Sequence, residues 1–456
     1  MTATPQLPLD VAATFAGKRI LFTGATGFLG QVALSLLLHR YGDALDCVWV
    51  LVRRGSAVSA ERRFFDKVVP NEPFRPLREK YGDGVTEFFA RKCRVLDGDI
   101  TDPGFGLSAE QLAALDGQVD VVINSAGLVS FNPSLELALD VNTLGVRHGV
   151  ELCQRWKVPL SHVSTAFVVG NRSGLVFEDD AIEGYFPKKG ELDGRDFSLD
   201  QELADCRRTV ERLRERAEDR TLTSSFRERA LSRLAQEGRD ARDEKTLRLA
   251  VGRERKLWLS GELTRVGMER AAHWGWPNTY TYSKSLGEQV LAGTPGLSYA
   301  ILRPSIVESA LRYPFPGWNE GFTTSAPLSF ACIKGRARVP AGTQTILDIV
   351  PVDLVASALL AATARVMASG GRRVYHLASG DVNPFYAARS VELVGLYRRR
   401  YYREKKTGSR AWNHFLSRLE PQAVSLLEYK ASSAPAWIQG AKLLKGVIQE
   451  VKPSWG

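Results

Sequence analysis

An apolar run that stops on a glycine and restarts as a helix constrains this chain most. Arg19-Ile20-Leu21-Phe22-Thr23 reads as a strand. Thr23-Gly24-Ala25-Thr26-Gly27-Phe28-Leu29-Gly30 then leads into a helical pattern from Phe28 to Tyr41, with Leu29, Val32, Leu36 and Leu37 on one stripe. Glycines at this spacing in this context serve a tight first turn, a close backbone approach to a pyrophosphate, and packing of helix on strand. The helix N-terminus adds unpaired N–H groups and a partial positive charge. Thr23, Gly24, Thr26, Gly27, Phe28, Leu29 and Gly30 are therefore expected to line a dinucleotide.

The pattern repeats. Cys47 to Val52, Arg94 to Leu96, Val119 to Ile123 and Leu160 to Val163 are apolar runs of strands buried on both faces, each followed by turn-prone or charged residues. Alternation of this kind implies right-handed crossovers and an α/β fold with a doubly wound parallel sheet. The texture changes from about Asp196 to Arg255, a stretch dense in Arg, Glu and Asp with Leu199, Leu203, Val210 and Leu213 at helical spacing. Two or three exposed helices are expected there, either as a solvated charged surface or as a cap over a long substrate. Strand-like runs return at Tyr299 to Leu302 and Val374 to Leu377. The expected division is a dinucleotide-binding core over 1–195, a helical insertion over 196–255, the rest of the core with a substrate region over 256–384, and a smaller, basic helical C-terminal region over 385–456.

Length allows a substantial core, and 44% hydrophobic with 25% charged residues is ordinary for a globular protein. The net charge of +10 suits polyanions: nucleotide cofactors, coenzyme A, acidic lipid surfaces or nucleic acid, the last not expected here. Five scattered cysteines without C-x-x-C spacing argue against disulfides and structural zinc, and no metal is expected. Met1 to Gly17 lacks the pattern of a signal peptide, and no run approaches the ~20 apolar residues that span a bilayer. The chain reads as cytoplasmic. Val391 to Lys406, rich in Arg, Lys and Tyr, reads as a basic helix fit to lie on an anionic membrane or simply on the protein surface. Lys452 to Gly456 shows no obvious cap, as in a fragment of a longer protein.

Chemistry concentrates at two places. Tyr280-Thr281-Tyr282-Ser283-Lys284 sets Tyr280 and Lys284 one helical turn apart on one face, whereas Tyr282 points elsewhere. A phenol ordinarily near pH 10 must drop by roughly two to three units, about 3–4 kcal/mol, to exchange protons near neutrality. The neighbouring ammonium and a nicotinamide are expected to supply that. Ser161-His162-Val163-Ser164-Thr165-Ala166-Phe167 ends the fifth strand with hydroxyls, of which Thr165 is favoured over Ser164 as donor to an oxyanion. His162 reads as a packed or capping residue. Around the cofactor, Arg53 and Arg54 end the second strand where NAD-specific proteins carry an acid, so a 2′-phosphate and NADPH are expected. Asp99 and Ile100 suit the adenine, Ser125, Ala126 and Gly127 the ribose, Lys284 the nicotinamide ribose, and the backbone of Pro304, Ser305 and Ile306 the carboxamide.

With these residues in view, the chain resembles the fatty acyl-CoA reductases, the male-sterility type of the extended short-chain dehydrogenases. The resemblance runs from about Lys18 to Asn383. It is carried by Thr23 to Gly30, Leu51-Val52-Arg53, Gly98 to Thr101, Val129 to Asn132, His162 to Phe167, Asn278 to Lys284, Arg303 to Val307, Pro316-Gly317-Trp318 and Asp348 to Asp353. It implies a Rossmann core and NADPH-dependent reduction of long-chain acyl-CoA to aldehyde or alcohol. Tyr280 would give a proton, Thr165 would steady the oxygen, and thiolate would leave without an acyl-enzyme. Asn124 to Gly127 departs from the family's usual run there, and the charged insertion is long. A carrier-protein-bound acyl thioester, a sterol or sugar-nucleotide substrate, or NADPH sensing without turnover remain as rivals.

Overall fold

The computed structural model describes residues 9–55, 58–192, 196–321, 326–334, 338–342 and 344–432. Its central sheet holds β1 (Arg19–Thr23), β2 (Cys47–Val52), β3 (Cys93–Asp97), β4 (Val121–Asn124), β5 (Leu160–Val163), β6 (Tyr299–Pro304) and β7 (Arg372–Leu377). The order is β3-β2-β1-β4-β5-β6-β7 and every neighbouring pair is parallel. The chain winds outward from β1 in both directions, so the crevice at the carboxyl ends of β1 and β4 is where a ligand of such a sheet sits. Register places Thr23, Asn124 and His162 in one row across β1, β4 and β5.

The glycine turn opens α1 (Phe28–Tyr41), whose residues from Gly30 to Leu38 are all buried. A single apolar stripe was expected. Burial extends round the helix because it is enclosed by α6 (Val352–Ser369) and by the segment 72–81. By length and composition α6 is apolar enough to cross a membrane, against the expectation that no such run exists. Here it is a core helix: Val355, Ala356, Leu359 and Leu360 are buried, and Thr363 is bonded to Ser161 of β5 at 2.8 Å.

The charged segment forms α2 (Leu199–Ala217), α3 (Arg220–Gln236) and the start of α4 (Glu244–Trp274). The boundary expected at residue 255 falls inside α4, which runs on without a breaker until Gly275 takes a left-handed φ of 103°. Phe197, Leu203 and Cys206 from this segment share a core with Trp276, Tyr282 and Leu286, so the segment is built into the fold.

The chain divides into two compact units. The first comprises residues 1–305, 310–318 and 352–377, the second 306–309, 319–351 and 378–456. In the second, strand Ile306–Glu308 pairs with Ile349–Pro351, and Arg338–Pro340 pairs with Gln422–Val424. Helix α7 (Ala387–Glu404) and helix α8 (Arg410–Ser417) are joined through Arg398, fully buried, whose guanidinium donates to the carbonyls of Ile333, Leu416 and Leu419. The second unit thus begins well before residue 385, because its strands come from 306–351. Lys452 to Gly456 lie outside the described residues.

Candidate active site

The turn after β1 is shaped by backbone contacts. Gly24 has φ +77°, and a Cβ there would lie 2.4 Å from the Ala126 nitrogen. A Cβ on Gly30 would lie 2.0 Å from the Gly24 carbonyl oxygen. Both positions are closed to any other residue by the protein itself. Gly27 differs: it is exposed, its φ is −87°, and its nearest contact is the Gly24 oxygen at 3.4 Å. It caps α1 without any side-chain bond, leaving the first N–H groups of Phe28, Leu29 and Gly30 without an intrahelical partner. An open glycine before uncapped donors fits a pyrophosphate. Thr23 is directed elsewhere, its buried hydroxyl donating to Asn124 Oδ1 at 2.7 Å. The Thr26 carbonyl accepts from Gln31 at 3.2 Å.

Arg53 and Arg54, 67% and 74% exposed, stand at the end of β2 and meet the acids after β3: Arg53 to Asp99 at 3.4 Å, Arg54 to Asp97 at 2.7 Å. Arg63 joins them by donating to the Arg53 carbonyl at 2.6 Å, a third cation that sequence spacing did not single out. Partial burial pushes the Asp99 carboxyl up, but the N–H and hydroxyl of Thr101, with Arg53, outweigh it and hold Asp99 below the usual carboxylate range. Ile100 is buried in the core beside β3.

The helix that carries Tyr280 and Lys284 is α5 (Thr279–Ala292), started by Asn278, whose side chain accepts from the Thr281 N–H. Lys284 is 4% exposed, and its ammonium donates to the Val163 carbonyl at 3.0 Å. Burial pulls its pKa down to about 8, partly countered by Glu288 one turn further on. Gly127 makes the room for it, since a Cβ at that position would stand 2.8 Å from the Lys284 nitrogen. Ser125 continues the β1–β4 ladder, its N–H bonded to the Thr23 carbonyl at 3.2 Å.

The Phe131 ring stands edge-on to the Tyr280 ring, centroids 6.1 Å apart. Burial pushes the Tyr280 phenol up, and the nearby Thr165 hydroxyl opposes it. Among the protein's own groups desolvation dominates at Tyr280 and keeps the phenol protonated, whereas the expected lowering calls on a nicotinamide as well as on Lys284. Thr165 is 3% exposed and lies 3.4 Å from the Pro304 carbonyl. Ser164 is buried on β5's end without a partner for its hydroxyl, and His162 is wholly buried, held neutral by burial and by Lys284. Ser305 donates its N–H to the Leu377 carbonyl at 3.0 Å, and Ile306 belongs to the second unit.

A family model described as male sterility protein, an NAD-binding model, matches residues 22–359. The chain belongs to this family. Over 397 residues it is 31% identical to fatty acyl-CoA reductase 2, chloroplastic, of Arabidopsis thaliana, covering 85% of this chain and 58% of that protein. It is 29% identical over 391 residues to the alcohol-forming fatty acyl-CoA reductase of Simmondsia chinensis, covering 83% and 70%. Among solved structures, the terminal R domain from the myxalamid PKS-NRPS biosynthetic pathway aligns with a TM-score of 0.54 at 20% identity, covering 93% of this chain and 77% of that one, a likeness of fold.

Three further site features escaped the sequence reading. Asn142, nearly fully buried, accepts from the Leu128 N–H at 2.9 Å and donates to Ser283 at 3.0 Å, tying the loop after β4 to α5. Glu288 pairs with Arg303 in the core at 2.6 Å. Tyr282, set aside by its offset, is fully buried and donates to Glu202 of the insertion.

Proposed function

We propose that this protein reduces long-chain fatty acyl thioesters, as coenzyme A esters, with NADPH, to the aldehyde or onward to the alcohol. The observation that carries this reading is Tyr280 set one helical turn from a buried lysine on α5, in a chain that also carries an open, uncapped glycine turn. The names of the relatives, fatty acyl-CoA reductase and alcohol-forming fatty acyl-CoA reductase, support the substrate class. Arg53, Arg54 and Arg63 favour a 2′-phosphate and hence NADPH over NADH.

Gly24, Gly27, Phe28, Leu29 and Gly30 would hold the pyrophosphate, Arg53 and Arg54 the 2′-phosphate, Asp99 and Ile100 the adenine, Ser125 to Gly127 and Lys284 the riboses, and Pro304 and Ser305 the carboxamide. Bound there, NADPH supplies the hydride. Thr165 and Tyr280 donate hydrogen bonds to the thioester carbonyl oxygen, and Tyr280 gives up its proton as charge develops on that oxygen. Lys284, charged below about pH 8, steadies the phenolate that remains. In the collapse of the hemithioacetal the Tyr280 phenolate takes back the hydroxyl proton while the carbon–sulfur bond breaks and a thiolate leaves, its pKa near 8.5 making it a ready leaving group. No protein nucleophile is required, and all five cysteines are buried.

A carrier-protein-bound thioester is the second reading, favoured by the basic charge, which suits an acidic carrier as well as coenzyme A. Peripheral contact with an anionic membrane belongs to the same proposal. From residue 385 on, thirteen Lys and Arg face five Asp and Glu, and Leu396, Tyr397 and Trp412 are exposed on α7 and α8.

The test mixes purified protein with NADPH or NADH and C16 or C18 acyl-CoA, acyl carrier protein or sugar nucleotide, and follows dinucleotide oxidation and product mass. Oxidation of NADPH with acyl-CoA, lost at least about 100-fold in Tyr280→Phe while NADPH still binds, supports the reading. Silence toward every thioester refutes it.

A further inference from the structure

Trp318 makes a contact that the proposed chemistry leaves unexplained. Its indole stacks on the ring of Phe28, centroids 5.2 Å apart and planes 14° from parallel. Phe28 is the first residue of α1, so its N–H is among the uncapped donors at the glycine turn. Gly27 before it is open to solvent and has no side chain to fix the entry of the helix. The stack with Trp318 therefore supplies what a capping side chain or a hydrophobic staple gives other helices: a fixed orientation of the first turn.

The segment 310–318 that carries Trp318 is itself anchored. Asp353, 5% exposed in the first turn of α6, accepts from the N–H groups of Leu311 at 2.8 Å, Arg312 at 2.9 Å and Tyr313 at 3.1 Å. Ala310 and Trp318 close the loop through the Ala310 N–H, which donates to the Trp318 carbonyl at 2.8 Å. Tyr313 makes a second hold on α1. Its hydroxyl lies 2.6 Å from Ser35 Oγ, and because Ser35 donates to the Pro73 carbonyl at 2.6 Å, Tyr313 is the donor of that bond. Burial pushes Tyr313 up to about 12, which keeps it protonated for this role. Arg75 lies 4.8 Å over the Phe315 ring. One loop thus grips α1 at its first residue and again two turns along, and α6, which carries the anchor, packs along the same helix.

We propose that Trp318 is a positioning residue for the dinucleotide: held by Asp353, it fixes Phe28 and with it the pyrophosphate-binding turn. This rests on the dinucleotide site described above and adds a loop distant in sequence to its machinery. The geometry is a preorganisation device, so it acts on affinity for the dinucleotide and leaves proton transfer at Tyr280 untouched.

Trp318→Leu, Trp318→Phe, Phe28→Leu and the Phe28→Leu/Trp318→Leu double variant are titrated with NADPH, with thermal melts and steady-state kinetics alongside. Trp318→Leu weakens NADPH about three- to tenfold, the span of an aromatic pair, raising KM for NADPH while kcat at saturating NADPH holds. Trp318→Phe recovers most of that affinity, and in the Phe28→Leu background Trp318→Leu adds little. Asp353→Asn, left with one oxygen for three N–H groups, gives the same KM-selective defect. Tyr313→Phe, which removes only the Ser35 bond, gives a smaller one and keeps the test available where the larger changes unfold the protein. Unchanged NADPH affinity in Trp318→Leu, or a full second loss on top of Phe28→Leu, overturns the proposal. Wild-type protein that binds neither NADPH nor NADH refutes the dinucleotide site as well, whereas tight wild-type binding with a silent Trp318 refutes this inference alone.

Discussion

The glycines of one turn play different parts, and mutation separates them. Gly24→Ala drives a Cβ into the Ser125–Ala126 backbone at a left-handed φ, so it costs about 1–3 kcal/mol of stability or more. Gly27→Ala meets nothing closer than 3.4 Å and leaves the melting temperature in place, yet weakens the dinucleotide. Melting curves and NADPH titrations of the two variants check this, and a Gly27→Ala that binds like wild type removes Gly27 from the site. Lys284 carries a second prediction. Its folded pKa of about 8 lies below the ordinary lysine value of 10.5, so the folded state resists protonation. The penalty is fully present below pH 8 and is relieved as pH rises from 8 to 10.5, where the unfolded chain holds more protons. Lys284→Met removes that penalty, and its stability relative to wild type falls by about 3 kcal/mol across that window. Chemical denaturation at a series of pH values measures the difference, and a flat difference refutes the buried ammonium. Sequence spacing singles out Tyr280, Lys284 and Thr165 because each is defined by a local repeat or a strand end. It carries no measure of the desolvation at Tyr280, which is set by what packs around the ring, and it missed Arg63, which reaches the Arg53 carbonyl only through the path of the chain after β2.

Among the elements, the strands and α1 were legible because apolar period and turn residues report local geometry directly. The role of α2 and α4 was not. Acids and arginines at helical spacing read as a solvated surface, but Glu202 is 2% exposed and receives a bidentate pair of bonds from Arg270, at 2.6 and 2.7 Å, together with the Tyr282 hydroxyl. Burial of a carboxylate needs such partners. Arg270→Met strands that charge and destabilises the protein by about 3–5 kcal/mol, and Arg270→Met/Glu202→Leu recovers most of the loss. Urea unfolding followed by tryptophan fluorescence gives the midpoints. A single variant as stable as wild type shows that the pair contributes nothing. The extended burial of α1 likewise depended on α6 and segment 72–81, which lie far from it in sequence.

At the scale of the whole molecule, charge is segregated. Most of the net +10 comes from residue 385 on, where α7 shows Leu393, Leu396, Tyr397 and Tyr401 to solvent beside Arg399 and Arg400. Such a surface binds vesicles containing phosphatidylglycerol more strongly than neutral phosphatidylcholine vesicles, and added salt weakens the binding. Co-sedimentation at low and high salt decides it, with equal pelleting on both lipids counting against the basic surface. The chain order, with 306–309 and 319–351 assigned to the second unit, could not be read from composition, because three-residue strands leave no periodic trace. The phenol of Tyr282, sealed against Glu202, also limits what protein engineers can transplant. A shortened chain lacking residues 196–255, or a hybrid borrowing α5 for another scaffold, would inherit an orphan hydroxyl in an oily wall. Such a graft needs phenylalanine at that position before Tyr280, two residues upstream, can be expected to sit correctly.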